Sequence, residues 1–445
     1  MSEIDDALTT LNSVGEGFCP QKWRWLALYL HSGDKHSCHH PSPRIIPLEE
    51  IEEDPAALHN TLYEKFTRKY MLSGGKPPGC SYCWNIEKIG KVSDRVLKNI
   101  DKINPIFDLK EETELLRNTP WDQNVNPYNM EISFSNACNF KCGYCCSSFS
   151  SMWEQEIEEF GDYDLEESPY GTRGKKIYSE KEYNPYVEAF WKWWPDLKKD
   201  LKIFRITGGE PLMTTNTYRL LETLREEGNS ELILQINTNL GVTNRKVTDM
   251  SNTVRELIDN NKIKNLRLFT SIECTGKQAE YIRRGLDYEL FKKNVETVLE
   301  LVPTAYMSFM VTYNNLVVPY FRDFLNYIVE LRQKWGKDRI IVDIPHLKEP
   351  PHWTINILTK DFGKYIDEDL AFIESSEWFT DVERKKMARI HDYFYNDEHA
   401  IDDTYRLNAR RDFAKFFPEY DRRSNSNLLE VFPEFKEFLE WCQTL

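Results

Sequence analysis

The sequence predicts an α/β protein built on a partial (β/α)6 barrel, with a small N-terminal cysteine-rich α+β module and a C-terminal helical cap. Three observations carry this. Six strand-like stretches, 130–135, 202–207, 231–237, 265–272, 305–312 and 339–344, follow one another, with amphipathic stretches such as Thr217–Glu227, Thr253–Asn260, Tyr288–Leu301 and Tyr320–Trp335 between them. Strands that alternate with helices pair in parallel and carry the helices outside. Seven of the ten cysteines fall into two clustered sets, one ahead of the first barrel strand and one just after it. Residues 361–445 are helical in pattern, aromatic and highly charged.

A chain of 445 residues is too long for one compact core. The divisions read from it are a flexible lead-in (1–16), the cysteine-rich module (17–96), a polar connector (97–128), the barrel (129–360) and the cap (361–445). With 40% hydrophobic residues the chain is globular in composition. Its formal charge of −15 repels phosphate backbones at long range, which disfavours extended nucleic-acid binding. No apolar run is long enough to span a membrane, and Met1-Ser-Glu-Ile-Asp-Asp lacks the regions of a signal peptide. A soluble, cytoplasmic protein is expected, and its cysteines point to metal ligation rather than disulfides.

In the module, Phe18 to Leu30 is strand-like, and the turn Ser32-Gly33-Asp34 makes a hairpin that brings Cys19 and Cys38 together. Leu58–Met71 reads as an amphipathic helix ended by Gly74-Gly75-Lys-Pro77-Pro78-Gly79, and Cys80-Ser-Tyr-Cys83 follows at once. Cys19, Cys38, Cys80 and Cys83 are four candidate ligands. Four thiolates saturate a zinc ion or an iron-sulfur cluster alike, and spacing does not separate the two. His39 and His40 are substitute ligands or plain loop histidines. The connector carries a short helix near Leu109–Leu116.

The first barrel strand runs into Cys138-Asn-Phe-Lys-Cys142-Gly-Tyr-Cys145, a CxxxCxxC loop. Three thiolates on one short loop hold three irons of a [4Fe-4S] cube and leave the fourth open, whereas a structural zinc knot is the alternative. The long crossover 146–201 contains an acidic, Tyr/Gly-rich stretch, 156–183, that reads as a lid or as a solvated insertion. Phe190-Trp-Lys-Trp-Trp194 sits on helical spacing and reads as core. The second strand ends in Gly208-Gly209-Glu210-Pro211, where two glycines permit a close backbone approach. Barrels place their chemistry on loops at the C-terminal strand ends, where both motifs lie.

CxxxCxxC followed by this GGEP resembles the signature of the radical S-adenosylmethionine (SAM) superfamily. The resemblance implies that SAM occupies the open iron beside Cys138, Cys142 and Cys145, that Tyr144 packs by the adenine, and that Gly208, Gly209 and Glu210 hold the amino end. It makes Asn237 and Asn239 candidates for SAM or substrate contact, with strand-end caps as the alternative. Ser271 or Glu273 is implied at the ribose hydroxyls. Arg283 pairs with the SAM carboxylate or else forms a surface ion pair. Cys274 is a candidate hydrogen-atom donor at the barrel mouth, or a buried inert thiol.

Residues 17–96, with Trp84, Glu87, Ser93 and Arg95 trailing Cys83, resemble the twitch or SPASM-like modules that carry an auxiliary iron-sulfur cluster in relatives. There the module follows the barrel; here it precedes it. The implied activity is a radical SAM oxidoreductase that abstracts hydrogen from substrate, with a peptide side chain oxidised or cross-linked. A sugar, nucleotide or other small molecule is the second substrate class, and a non-enzymatic iron-sulfur or zinc scaffold is the alternative from another class. An electron donor such as flavodoxin or ferredoxin is the expected partner.

Overall fold

The computed structural model describes residues 3–100, 106–166, 168–171, 174, 176–396 and 402–445. Parts of the lead-in (1–2), connector (101–105), insertion (167, 172, 173, 175) and cap (397–401) lie outside the described residues. The strands in chain order are β1 (Trp25–Tyr29), β2 (Asp34–His36), β3 (Arg44–Ile45), β4 (Asn129–Ser133), β5 (Lys141–Cys142), β6 (Ile203–Thr207), β7 (Ile233–Thr238), β8 (Asn265–Ser271), β9 (Arg283–Arg284), β10 (Tyr306–Met310) and β11 (Ile340–Asp343). Nine of them form one open sheet, ordered β11-β10-β8-β7-β6-β4-β1-β2-β3, and β5 pairs separately with β9.

All six expected barrel strands are present and parallel, running from β4 to β11. Their period-two alternation decides what each face does. One face presents Met130, Ile132, Phe204, Ile206, Leu234, Ile236, Leu266 and Leu268, all fully buried. The helices Pro185–Leu197, Thr215–Glu226, Asn244–Asp259, Tyr288–Leu301 and Phe321–Trp335 follow the strands in turn. Trp194 of the first packs against Phe204 at 5.4 Å between ring centroids. The Phe190–Trp194 run is core as expected, with Phe190, Trp193 and Trp194 buried. The opposite face carries Glu131, Arg205, Gln235 and Arg267 in register.

Several expectations change. The module does not stand apart from the barrel in the sheet, because β1 pairs in parallel with β4 as a seventh parallel strand, with Ala27 opposite Glu131. The hairpin turns at Gly33 with Tyr29 opposite Asp34, but Cys19 sits ahead of it, before the helix Gln21–Arg24. The lead-in is a helix, Glu3–Asn12, whose Ala7 and Leu11 join Phe18, Trp23, Met71, Val96 and Leu116 in a small second core. Leu58–Met71 is broken at Thr61, whose hydroxyl accepts from Glu64 N and caps the helix Leu62–Leu72.

The insertion is neither a free lid nor solvated throughout. Tyr163 and Tyr170 are buried, Trp153 stacks on Tyr170 at 4.3 Å, and Tyr170 stacks on Phe416 of the cap at 5.1 Å. The cap is made of the helices Gly363–Ser375, Asp381–Tyr395, Asp403–Ser424 and Lys436–Cys442. The Phe432–Trp441 stretch begins as a 3-10 turn, Pro433–Phe435, ahead of the last helix. Phe432 meets Tyr281 at 5.4 Å, so the cap closes over the cysteine loop's flank.

Candidate active site

The loop after β4 is clamped from two sides. On one, the GGEP backbone closes on it: Gly209 N donates to Ser135 O at 3.1 Å and Glu210 N to Ala137 O at 2.7 Å. A Cβ on Gly209 would sit 2.3 Å from Ala137 O, and one on Gly208, at φ +128°, 2.7 Å from Ser135 O. Both glycines are there because two backbones meet. On the other side β5 pairs antiparallel with β9, setting Cys142 opposite Arg283.

Glu210 is anchored by the chain's own donors. Its buried carboxylate accepts from Leu212 N, the Thr238 hydroxyl and Asn239 N at 2.7–2.9 Å, stapling the loop after β6 to the end of β7. Burial raises its pKa to about 7 against the pull of those donors. All these bonds are to the protein.

The three loop thiols lie close enough to influence one another. Burial pushes Cys138 up to about 12, with the charge of Cys142 adding to it. Burial likewise raises Cys145 far above the ordinary range, with Cys146, Cys142 and Cys138 contributing. Bound metal deprotonates such thiols outright. Donors already point at the sulfurs: Phe140 N lies 3.4 Å from Cys138 Sγ and Arg283 Nη1 3.6 Å from Cys142 Sγ.

Behind the loop is a buried network that sequence reasoning assigned to ligands. Arg283 donates through Nε and Nη2 to Glu273 Oε2 at 2.8 and 2.7 Å, and Tyr144 OH donates to Glu273 Oε1 at 2.9 Å. Glu273 is 1% exposed and Arg283 4%. The pair is thus not a surface ion pair; it braces the Cys142 side of the loop. Tyr144 packs edge-on to Trp353 at 5.8 Å, with its hydroxyl committed. Asn237 accepts from Arg205 Nε at 2.9 Å, so it serves that guanidinium instead. Asn239 bonds Asn139 at 2.9 Å and accepts from Gly241 N, as a strand-end cap does. Ser271 ends β8 and is partly exposed. Cys274, just past the end of β8, is fully buried in the main core.

In the module, Cys19, Cys38, Cys80 and Cys83 line one pocket together with Arg95 and Lys98. Lys98 Nζ stands 3.8 Å from Cys38 Sγ and Asn99 Nδ2 4.0 Å from Cys19 Sγ. Glu87 accepts from Ser93 at 2.5 Å and from Arg95 at 2.9 Å, while Arg95 Nη1 reaches Phe18 O beside Cys19. Of the residues trailing Cys83, Trp84 and Arg95 line this pocket, and Glu87 holds Arg95 in place. His40 turns to Asp94 at 2.8 Å, and His39 packs edge-on to Trp25 at 4.5 Å. Among the described residues, no three His, Cys, Asp or Glu side chains are set to close on a single metal ion.

Gln21 and Lys98 border a second cavity as well, of about 260 Å³, whose other wall is the polar face of the sheet with Glu131, Arg205, Gln235 and Arg267. The four-cysteine pocket thus adjoins the barrel's interior. Sequence reasoning missed this face, although the alternation in Met130-Glu-Ile-Ser, Phe204-Arg-Ile-Thr and Leu234-Gln-Ile-Asn marks one side of each strand as polar. It also missed Tyr170, whose hydroxyl bridges Gly143 O at 3.0 Å and His352 Nε2 at 2.8 Å.

Residues 132–328 match the family model of the radical SAM superfamily, a span that takes in the three loop cysteines, GGEP and Arg283 but neither the module nor the cap. No curated protein matches the sequence.

Proposed function

From a radical SAM domain over residues 132–328 as the premise, we propose that Cys138, Cys142 and Cys145 hold a [4Fe-4S] cluster and that the chain is an oxidoreductase working by hydrogen abstraction. With SAM on its open iron, that cluster supplies the reductive cleavage to methionine and a 5′-deoxyadenosyl radical. The carrying observation is the placement of Cys138, Cys142 and Cys145, spaced CxxxCxxC, on a loop at the C-terminal edge of a parallel sheet. The chain's own part is positioning. Gly208 and Gly209 fix the loop's backbone, and Phe140 N and Arg283 direct donors at the sulfurs. Trp353, Tyr170 and Phe416, all buried, exclude water behind them.

Cys19, Cys38, Cys80 and Cys83 would hold an auxiliary iron-sulfur centre, which would supply an electron acceptor or a substrate anchor. Shared walls with the barrel cavity support either role. The twitch-like resemblance of residues 17–96 favours a peptide side chain as the group oxidised or cross-linked, with a flavodoxin or ferredoxin as electron donor. All ten cysteines are free thiols, which suits the cytoplasm, and no helix among the described residues is long and apolar enough to cross a membrane.

Anaerobic reconstitution followed by dithionite and SAM tests the reading. Formation of 5′-deoxyadenosine is expected, and its absence with a fully loaded cluster overturns it. A binding scaffold would instead keep its function in Cys142→Ala.

A further inference from the structure

Arg283 spends two of its nitrogens on one carboxylate and turns the third to a thiol of the cysteine loop. Nε and Nη2 lie 2.8 and 2.7 Å from Glu273 Oε2, and Nη1 lies 3.6 Å from Cys142 Sγ. The backbone keeps that third nitrogen on target: β5 and β9 set Cys142 opposite Arg283, and Gly143 N donates to Ile282 O at 2.8 Å. Glu273 is fixed in turn. Its other oxygen accepts from the hydroxyl of Tyr144, the residue before the third loop cysteine, at 2.9 Å. The side chains of Arg283 and Glu273 are 5% and 1% exposed, and an oriented donor is worth more in such surroundings than in water. The order of the charges matters as well. The guanidinium lies nearer the sulfur than the carboxylate does in effect, since Arg283 favours negative charge on Cys142 more strongly than Glu273 opposes it.

We propose that Arg283 sets the reduction potential of the cluster held at the loop, through a charge-assisted hydrogen bond to Cys142 Sγ that favours the reduced state, and that Glu273 is the positioning residue that aims it. Reduction adds one electron to the cluster, and the added charge is shared with the ligand sulfurs. Hydrogen bonds to those sulfurs are among the levers that set a cluster's potential. A cationic donor favours the more negative state, so it raises the potential. The electron comes from an external reductant, dithionite in the assay, and no bond to Arg283 forms or breaks. Glu273 has two opposed effects, aiming the donor while setting a negative charge behind it. The proposal rests on the radical reading, because it concerns the cluster which that reading places on Cys138, Cys142 and Cys145.

Redox titration of the anaerobically reconstituted full chain, followed by electron paramagnetic resonance without SAM and then with it, tests this. The loop cluster is the signal that Cys142→Ala removes. Arg283→Met is expected to lower its potential by about 59 mV, a tenfold loss in the reduction equilibrium of a one-electron couple. Arg283→Lys, which keeps the cation, restores part of the shift. Glu273→Gln keeps an acceptor for the guanidinium and removes the opposing charge, so the potential rises. A brace acting through packing alone would not give shifts of opposite sign. Arg245→Gln, on an exposed helix, leaves the potential unmoved. Loop iron and far-UV circular dichroism are read on each variant, and if Arg283→Met fails to hold iron, Arg283→Lys and Glu273→Gln decide. The proposal is overturned if iron-loaded variants titrate at the wild-type potential, or if their potentials differ only once SAM is present, as a contact to SAM alone would give. Absence of any Cys142-dependent signal in the wild type would instead sink the radical reading itself, so the two failures are separable.

Discussion

The two cysteine sites differ in how their thiols are gathered. Cys138, Cys142 and Cys145 come from one loop of eight residues, fixed by GGEP on one side and β9 on the other. Cys19, Cys38, Cys80 and Cys83 come from three separated segments, beside a small core. A site prebuilt by the sheet needs no metal to keep its shape; a site assembled from distant segments has its ligands pulled together by what they bind. Under the proposed reading the first would leave a ligand position open for chemistry, and the second would close its own.

That contrast breaks most visibly in activity. Cys142→Ala is expected to abolish 5′-deoxyadenosine formation while thermal unfolding stays close to wild type, because the loop's backbone clamps do not use the thiol. Chromatography of quenched reactions beside calorimetry checks both halves. For the module the expectation reverses: Cys80→Ala with Cys83→Ala leaves the loop's iron in place but destabilises the N-terminal segments by several kcal/mol, below the ~10–16 kcal/mol of structural metal sites that fold only when loaded. Iron analysis and limited proteolysis read it, and unchanged iron with a zinc signal would assign the module to a structural metal.

Glu273→Ala sharpens the claim that the loop is braced from within. Leaving Arg283 buried and unpaired costs about 3–5 kcal/mol, seen in urea midpoints, with Cys142 losing an oriented donor. Gly209→Ala is smaller, roughly 1–3 kcal/mol of overpacking, since its Cβ meets the Ala137 carbonyl; iron at the loop should fall before iron at the module does. The smallest effect is on pH dependence. Lys35, buried within the module and donating to His59 O at 2.8 Å, is pushed down to about 7 by burial. Between pH 7 and about 10 the unfolded chain holds a proton there that the folded one lacks, so stability rises with pH across that window. Urea midpoints at pH 7.5 and 9.5 check it, and Lys35→Met should flatten the slope.

The barrel was legible because its strands alternate and its motifs fall at their ends; Cys138 and Gly208 are where local pattern put them. What was not legible depends on partners far along the chain. Glu273 and Arg283 looked like ligand contacts because nothing in the sequence says they choose each other. The joining of β1 to β4 and the burial of Tyr170 under Phe416 are likewise long-range choices, made when remote apolar surfaces find one another. Helix ends were misread where a cap residue interrupts a continuous apolar period, as Thr61 does.

The central claim is the open coordination position at the three-thiol loop. Electron paramagnetic resonance of the dithionite-reduced Cys80→Ala/Cys83→Ala protein, which carries the loop cluster alone, addresses it with and without SAM. A change in g-values on adding SAM is the result expected of an iron that takes a new ligand; a spectrum indifferent to SAM would contradict it.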